Sequence, residues 1–284
     1  MARSIGELLR LDSARLAQAL GCSVADARRE TQILIRRALG VEQAWLLAHP
    51  DSALGGGVQE RYGAMLARRL AQEPIAYILG EREFYGLLFE VTPDVLIPRP
   101  ETELLVELAL ARVPKAAPWR ILDLGTGSGC IAITLASLLP HARVVATDLS
   151  EAALGMAGRN ARRHRATNVE LRKGSWFEPV GTQRFDLIVS NPPYIAAGDP
   201  HVQQGDLRFE PAAALVADAN GFGALSEIIA EAPRHLLPGG WLLVEHGYDQ
   251  GAAVTQFLSA TGFDEVFSRN DLAGIPRVAG GRRP

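Results

Sequence analysis

The chain has 284 residues, 48% of them hydrophobic and 21% charged, with a formal net charge of −3. That is the composition of a folded globular protein with room for two domains, and it excludes a disordered chain. A near-neutral balance argues against nonspecific DNA binding, which rests on phosphate neutralisation, and Cys22 and Cys130 alone support neither a disulfide framework nor a thiolate metal site.

The first twelve residues are broken by Arg3, Glu7 and Arg10, and no later run approaches the ~18 apolar residues of a membrane span. The expectation is therefore a cytoplasmic protein without a membrane partner. Ser4-Ile5-Gly6-Glu7 fits a capping box, followed by Ile5, Leu8, Leu9, Leu16 and Leu20 at helical spacing until Gly21. Ser23 with Asp26 repeats the device. The second helix carries Thr31, Leu34, Ile35 and Ala38 on one face and Arg28, Arg29, Arg36 and Arg37 on a solvated one, ending at Gly40. Trp45 to Leu47 begins a short helix, Gly55-Gly56-Gly57 marks a loop, and Tyr62, Met65, Leu66 and Leu70 form another helical stripe. Residues 1–80 thus read as a helical bundle without a titratable constellation, suited to recognising a partner.

From Phe84 the pattern changes to period two, which predicts a hairpin in a linker over residues 81–99. Pro100 then opens a helix whose first turn is acidic and whose apolar face is Leu104, Leu105 and Leu108. Trp119 to Leu124 is a buried strand that runs into Gly125-Thr126-Gly127-Ser128-Gly129, and a helix follows to Pro140. Strand, glycine turn and helix begin a nucleotide-binding unit, because glycines admit close backbone approach and the helix N–H groups point at the ligand. The next strand ends in Asp148, about 20 residues on, where a carboxylate meets ribose hydroxyls. Further strands at 169–172, 185–190, 239–245, 263–268 and 278–280 give a doubly wound α/β domain over residues 100–284, with ligands at the carboxyl ends of its strands.

The glycine spacing is G-x-G-x-G and not the dinucleotide G-x-G-x-x-G, which favours S-adenosylmethionine over NAD. The strand ending at Ser190 is stopped by Asn191-Pro192-Pro193-Tyr194. Neither proline has an N–H, so carbonyls at this corner stay free to accept. The Asn191 amide oxygen and the Pro192 carbonyl can together take both hydrogens of one planar NH2 group, with Tyr194 stacking on it. A plain proline turn is the alternative for the tetrapeptide by itself; the glycine loop upstream decides between them. The six histidines lack metal-ligand spacing, so no metal is expected. Cys130, at a helix start, reads as a small buried residue, and Glu245 with His246 as either pocket wall or strand end.

Together, Asp123 to Gly129, Asp148 and Asn191 to Tyr194 resemble the class I methyltransferases that act on amino or amide nitrogen. Ile97 to Glu103, Phe209-Glu210-Pro211 with Ala214-Leu215, and Asp271 to Arg277 narrow the resemblance to the HemK/PrmC family, over nearly the whole chain. The resemblance implies a Rossmann-like, doubly wound, mostly parallel seven-stranded sheet behind an N-terminal helical substrate-recognition bundle joined by a β-hairpin. It implies methyl transfer from S-adenosylmethionine to the side-chain nitrogen of the glutamine in the Gly-Gly-Gln motif of class 1 peptide chain release factors, with no direct nucleic-acid partner. Carried over by position, Gly125, Thr126, Gly127, Ser128 and Gly129 line the methionine part of the cofactor, Asp148 the ribose and Trp176 the adenine. Asn191 borders the cofactor, and Asn191 and Pro192 grip the amide beside Pro193 and Tyr194. Close relatives often have an acidic residue before this tryptophan, where the chain has Ser175. A ribosomal-protein glutamine methyltransferase and an adenine-N6 methyltransferase acting on a flipped base share the same corner and remain the alternative activities.

Overall fold

The structure, a computed structural model, describes residues 3–114 and 116–284. It forms two compact units: the described residues of Met1–Gly80 together with Gln203–Phe209, and Glu81–Val202 with Glu210–Pro284.

The first unit contains helices α1 (Ile5–Leu20), α2 (Val24–Leu39), α3 (Gln43–Ala48), α4 (Gly56–Leu70) and α5 (Ile75–Leu79). The capping box at Ser4 and Glu7 is formed, with reciprocal bonds of 2.9 and 3.3 Å, and left-handed Gly21 and Gly40 close α1 and α2. Ile5, Leu16, Leu34, Ile35, Leu46 and Tyr62 make a buried core. Gly56 and Gly57, expected in a loop, instead form the first turn of α4 behind Gly55 at the N-cap, a position where glycine is well tolerated, and packing of Tyr62 and Leu66 offsets the entropy that the two helical glycines lose. Arg28, Arg29 and Arg37 are exposed as expected. The buried arginine is Arg69, which bonds Glu30 at 2.6 Å, Asp206 at 3.2 Å and the carbonyls of Gln72 and Glu73. That ion pair ties Gln203–Phe209 into this unit.

In the second unit, β1 (Glu81–Phe84) and β2 (Leu87–Glu90) form the hairpin. Tyr85 and Gly86 both have positive φ, 52° and 77°, the pattern of a type I′ turn that matches strand twist. A single 3-10 turn, Pro100–Thr102, leads into α6 (Glu103–Leu110). The buried face of α6 is Leu105, Val106 and Ala109, so the apolar stripe is rotated from the expected one and continues back to buried Thr102.

The elements then alternate: β3 (Arg120–Leu124), α7 (Cys130–Leu138), β4 (Arg143–Asp148), α8 (Glu151–Arg163), β5 (Val169–Lys173), β6 (Phe185–Ser190), β7 (Ile195–Ala196), α9 (Ala212–Leu215), β8 (Val216–Ala217), α10 (Gly223–His235), β9 (Leu236–Glu245), α11 (Gly251–Ala260), β10 (Asp264–Asn270) and β11 (Pro276–Arg282). Seven strands form one sheet in the order β10-β11-β9-β6-β3-β4-β5. The pairs from β9 through β5 are parallel, and β11 runs antiparallel to both its neighbours. Side chains alternate between two cores: Ile121, Leu187 and Val189 pack with α6 and α7, while Leu122, Leu124 and Ile188 pack with α10 and α11. This is the expected doubly wound, mostly parallel sheet.

In the first unit, the Tyr62 hydroxyl donates to Asp12 Oδ2 at 2.8 Å and both side chains are buried. Tyr62→Phe leaves that carboxylate oxygen without its donor and is expected to cost roughly 1–3 kcal/mol. Amide hydrogen exchange in α1 and α4 should speed up accordingly; unchanged protection would mean that another donor replaces the hydroxyl.

Candidate functional site

Register sets the site. Leu124 pairs with Thr147 on one side and Ser190 on the other, and Ser190 pairs with Val244. The next residue of each strand, Gly125, Asp148, Asn191 and Glu245, therefore emerges at the same carboxyl edge. Between β3 and β6 the winding reverses, which opens the crevice where doubly wound sheets bind ligands.

A cavity of about 410 Å³ occupies this edge, lined by Asp94, Leu96, Gly125, Gly127, Asp148, Ser175, Trp176, Asn191, Pro193 and Ala214 among others. Gly125 has φ +70°, and a Cβ there would stand 3.3 Å from the Trp176 ring. Gly129, at φ +83°, has the Ile133 side chain 2.7 Å from the place of its absent Cβ, so the turn is sterically reserved for glycine. Asp148 accepts from the Gly127 N–H at 2.9 Å and the Ser150 N–H at 2.8 Å. Its carboxylate thus shapes the glycine loop while retaining acceptor capacity for hydroxyl donors. Trp176 holds a strained φ of +38°, its indole N–H donating to Glu227 at 3.1 Å.

Of the residues singled out in the sequence, Gly125, Gly127, Asp148, Trp176, Asn191 and Pro193 share the cavity wall. Thr126, Ser128, Gly129, Pro192 and Tyr194 are not part of that wall. Thr126 donates to buried Asp123 at 2.6 Å, Asn160 donates to the Ser128 carbonyl at 2.9 Å, and Pro192 is buried. The Tyr194 hydroxyl donates to Glu245 at 3.2 Å, and its carbonyl accepts from Gln250 at 3.1 Å. Asn191 Nδ2 donates to Thr102 Oγ1 at 3.2 Å, which leaves its Oδ1 for another donor.

The chain matches the Methyltransferase small domain family over residues 101–220 and the PrmC N-terminal domain family over residues 7–80. It is 52% identical to a release factor glutamine methyltransferase of Bordetella pertussis, an alignment covering 89% of this chain and 94% of that protein. A Pseudomonas aeruginosa protein of the same name is 48% identical over 90% of this chain and 92% of its own. The chain belongs to the release factor glutamine methyltransferase family. Solved structures of a Pyrococcus furiosus methyltransferase (TM-score 0.53, 21% identity, covering 78% of this chain and 98% of that one) and a T. thermophilus 16S rRNA methyltransferase (0.54, 19%, 72% and 50%) share its fold.

The three segments that narrowed the resemblance to this family meet around the corner. Buried Glu210 accepts from the Ile97 N–H at 3.0 Å and pairs with Arg99. Asp271, whose carboxylate is held below its usual range by the Ile275 and Ala273 N–H groups, braces Arg277 at 3.5 Å. Arg277 in turn favours the charged form of Glu245, whose carboxyl burial pushes up to about 7. Two partners were not legible: Thr102 is one residue of an opening helical turn with no signal of its own, and Glu227 stands 51 residues from the tryptophan it holds. Cys130, expected to be buried, is half-buried as a residue, and burial around its thiol pushes it up to about 12, which disfavours the thiolate. Among the described residues no group of His, Cys, Asp and Glu could hold a metal ion, and no helix is long and apolar enough to cross a membrane.

Asp123 carries a pH dependence. Burial raises its carboxyl from 3.8 to about 7, against the Thr126 hydrogen bond that favours the charged form. Across that window the native chain keeps a proton that the unfolded chain has lost, so stability is greatest at the acid end and falls as pH rises towards neutrality. Asp123→Asn cannot ionise. Its urea stability should fall less than wild type between about pH 5 and about pH 7.5; equal falls would place the titration elsewhere.

Proposed function

We propose that the protein transfers a methyl group from S-adenosylmethionine to the side-chain amide nitrogen of the glutamine in the Gly-Gly-Gln motif of class 1 release factors, in the cytoplasm. The observation that carries this reading is the Asn191 amide, pinned through its nitrogen by Thr102 so that an acceptor oxygen remains at the cavity wall. Relatives named release factor glutamine methyltransferase are about half identical to it over nearly full length.

The residues present fit the cofactor. The cavity lies within the roughly 300–1,000 Å³ of small-molecule sites, its glycine turn leaves the space that a side chain at Gly125 would fill, and Asp148 offers a carboxylate at the wall. Gly125 to Gly129 would take the methionine part, Asp148 the ribose and Trp176 with Ser175 the adenine side, with Asn191 at the inner border. Bound there, S-adenosylmethionine supplies a methyl already activated on a sulfonium, so the protein needs no acid–base pair to activate the donor.

The protein's task is orientation. An amide nitrogen is a poor nucleophile because its lone pair is delocalised. Asn191 Oδ1 and the Pro192 carbonyl, accepting the two amide hydrogens, turn that nitrogen towards the methyl and stabilise the positive charge that develops on it. Tyr194, fixed by Glu245 and Gln250, keeps the corner rigid. Residues 1–80 carry no such chemistry and are assigned the selection of the protein substrate, the hairpin region 81–99 linking them to the transferase domain.

Purified release factor, ribosomal protein and DNA, each incubated with methyl-labelled S-adenosylmethionine, separate the candidate activities. Label is expected on the release factor glutamine; label only on ribosomal protein or on adenine would replace this reading. By calorimetry, Asp148→Ala should weaken cofactor binding by roughly 1.5–3 kcal/mol, the range for a charged hydrogen bond, and equal affinity would remove Asp148 from the site.

A further inference from the structure

Behind the corner lies a buried carboxyl that the transfer does not touch. Glu245 is 1% exposed, and its Oε1 receives the Tyr194 hydroxyl at 3.2 Å. Its Oε2 is buried with no hydrogen-bond partner, and the Thr102 hydroxyl lies near enough to favour the ionised carboxyl. Thr102, itself 2% exposed, already accepts from Asn191 Nδ2 at 3.2 Å.

We propose that Glu245, acting through Thr102, is a positioning residue that fixes which end of the Asn191 amide faces the cavity. A hydroxyl has one hydrogen. With its oxygen accepting from Asn191, Thr102 turns that hydrogen to the nearby carboxylate, which can only accept. The order of donation therefore runs from Asn191 to Thr102 to Glu245, and the Asn191 oxygen is the end left at the wall. Without a fixed acceptor at Glu245 the Thr102 hydrogen is free to point at Asn191. The asparagine then lowers its energy by flipping, presenting oxygen to Thr102 and NH2 to the cavity, where it opposes the substrate's own NH2.

Glu245→Gln tests this in the full-length protein, because it keeps the shape and reverses the donor order: a glutamine NH2 can donate to Thr102. The inference rests on Asn191 as the amide acceptor, so one readout needs no substrate. The side-chain NH2 signals of Asn191 in 15N-labelled protein, assigned by their loss in Asn191→Ala, should move in Glu245→Gln. Well above neutral pH, single-turnover methylation of release factor should fall at least about tenfold, the scale of one hydrogen bond. KM, cofactor affinity and thermal stability should stay near wild type, since replacing a buried charge with its neutral isostere removes a desolvation penalty. Thr102→Val should show the same loss, with Glu245→Gln adding nothing to it. Unmoved Asn191 signals, a wild-type rate, additive losses, or a rate loss matched by lost stability and cofactor binding would each overturn the proposal. If the signals move but the wild-type protein methylates no release factor, positioning stands and the assigned activity is what fails.

Discussion

An asparagine side chain is ambiguous: one end donates, the other accepts, and only a fixed partner decides which end a ligand meets. In this protein that partner is Thr102, 89 residues away in sequence and 3.2 Å away in space. Strand register delivers Asn191 to the same edge as Gly125, Asp148 and Glu245, and the single 3-10 turn before α6 places Thr102 on the buried face beneath it.

The cost of this arrangement is buried charge. Glu245, Asp123 and Glu210 are all nearly inaccessible to water, and an unpaired carboxylate in such surroundings is expensive. Each is met differently. Glu210 has Arg99 and the Ile97 N–H, whereas Asp123 has the Thr126 hydroxyl and burial pushes its carboxyl up to about 7. Glu245 has two hydroxyl neighbours and the field of Arg277, partly opposed by Glu101. A stability-optimised core would carry apolar groups at these positions. Glu245 ends β9 at the carboxyl edge and Asp123 lies one residue inside the end of β3, so this burial is concentrated next to the cavity.

Much of this was legible from local pattern. Capping residues, helical stripes and apolar strand runs each act within a few residues, so α1, α2 and the strands of the sheet could be read directly; of the candidate site residues, Gly125, Gly127, Asp148 and Asn191 come to one cavity wall. What escaped depends on distant pairing. The rotated face of α6 follows from packing on the sheet and not from its own periodicity, and Gln203–Phe209 joins the first unit through Asp206 and Arg69, 137 residues apart. Neither Thr102 nor Glu227 advertises its role, because a hydroxyl or a carboxylate in a helix is ordinary until its partner is known.

The account stands on Asn191 acting in the transition state more than in binding, since interactions that strengthen only there appear in the rate. Single-turnover methylation by Asn191→Ala at saturating release factor and S-adenosylmethionine measures this directly. The rate should fall by about a hundredfold or more, about 2.7 kcal/mol at 1.36 kcal/mol per decade, with release-factor and cofactor affinities little changed. A rate within a few-fold of wild type would contradict the account: Asn191 would then only form the turn, and another group would orient the nitrogen.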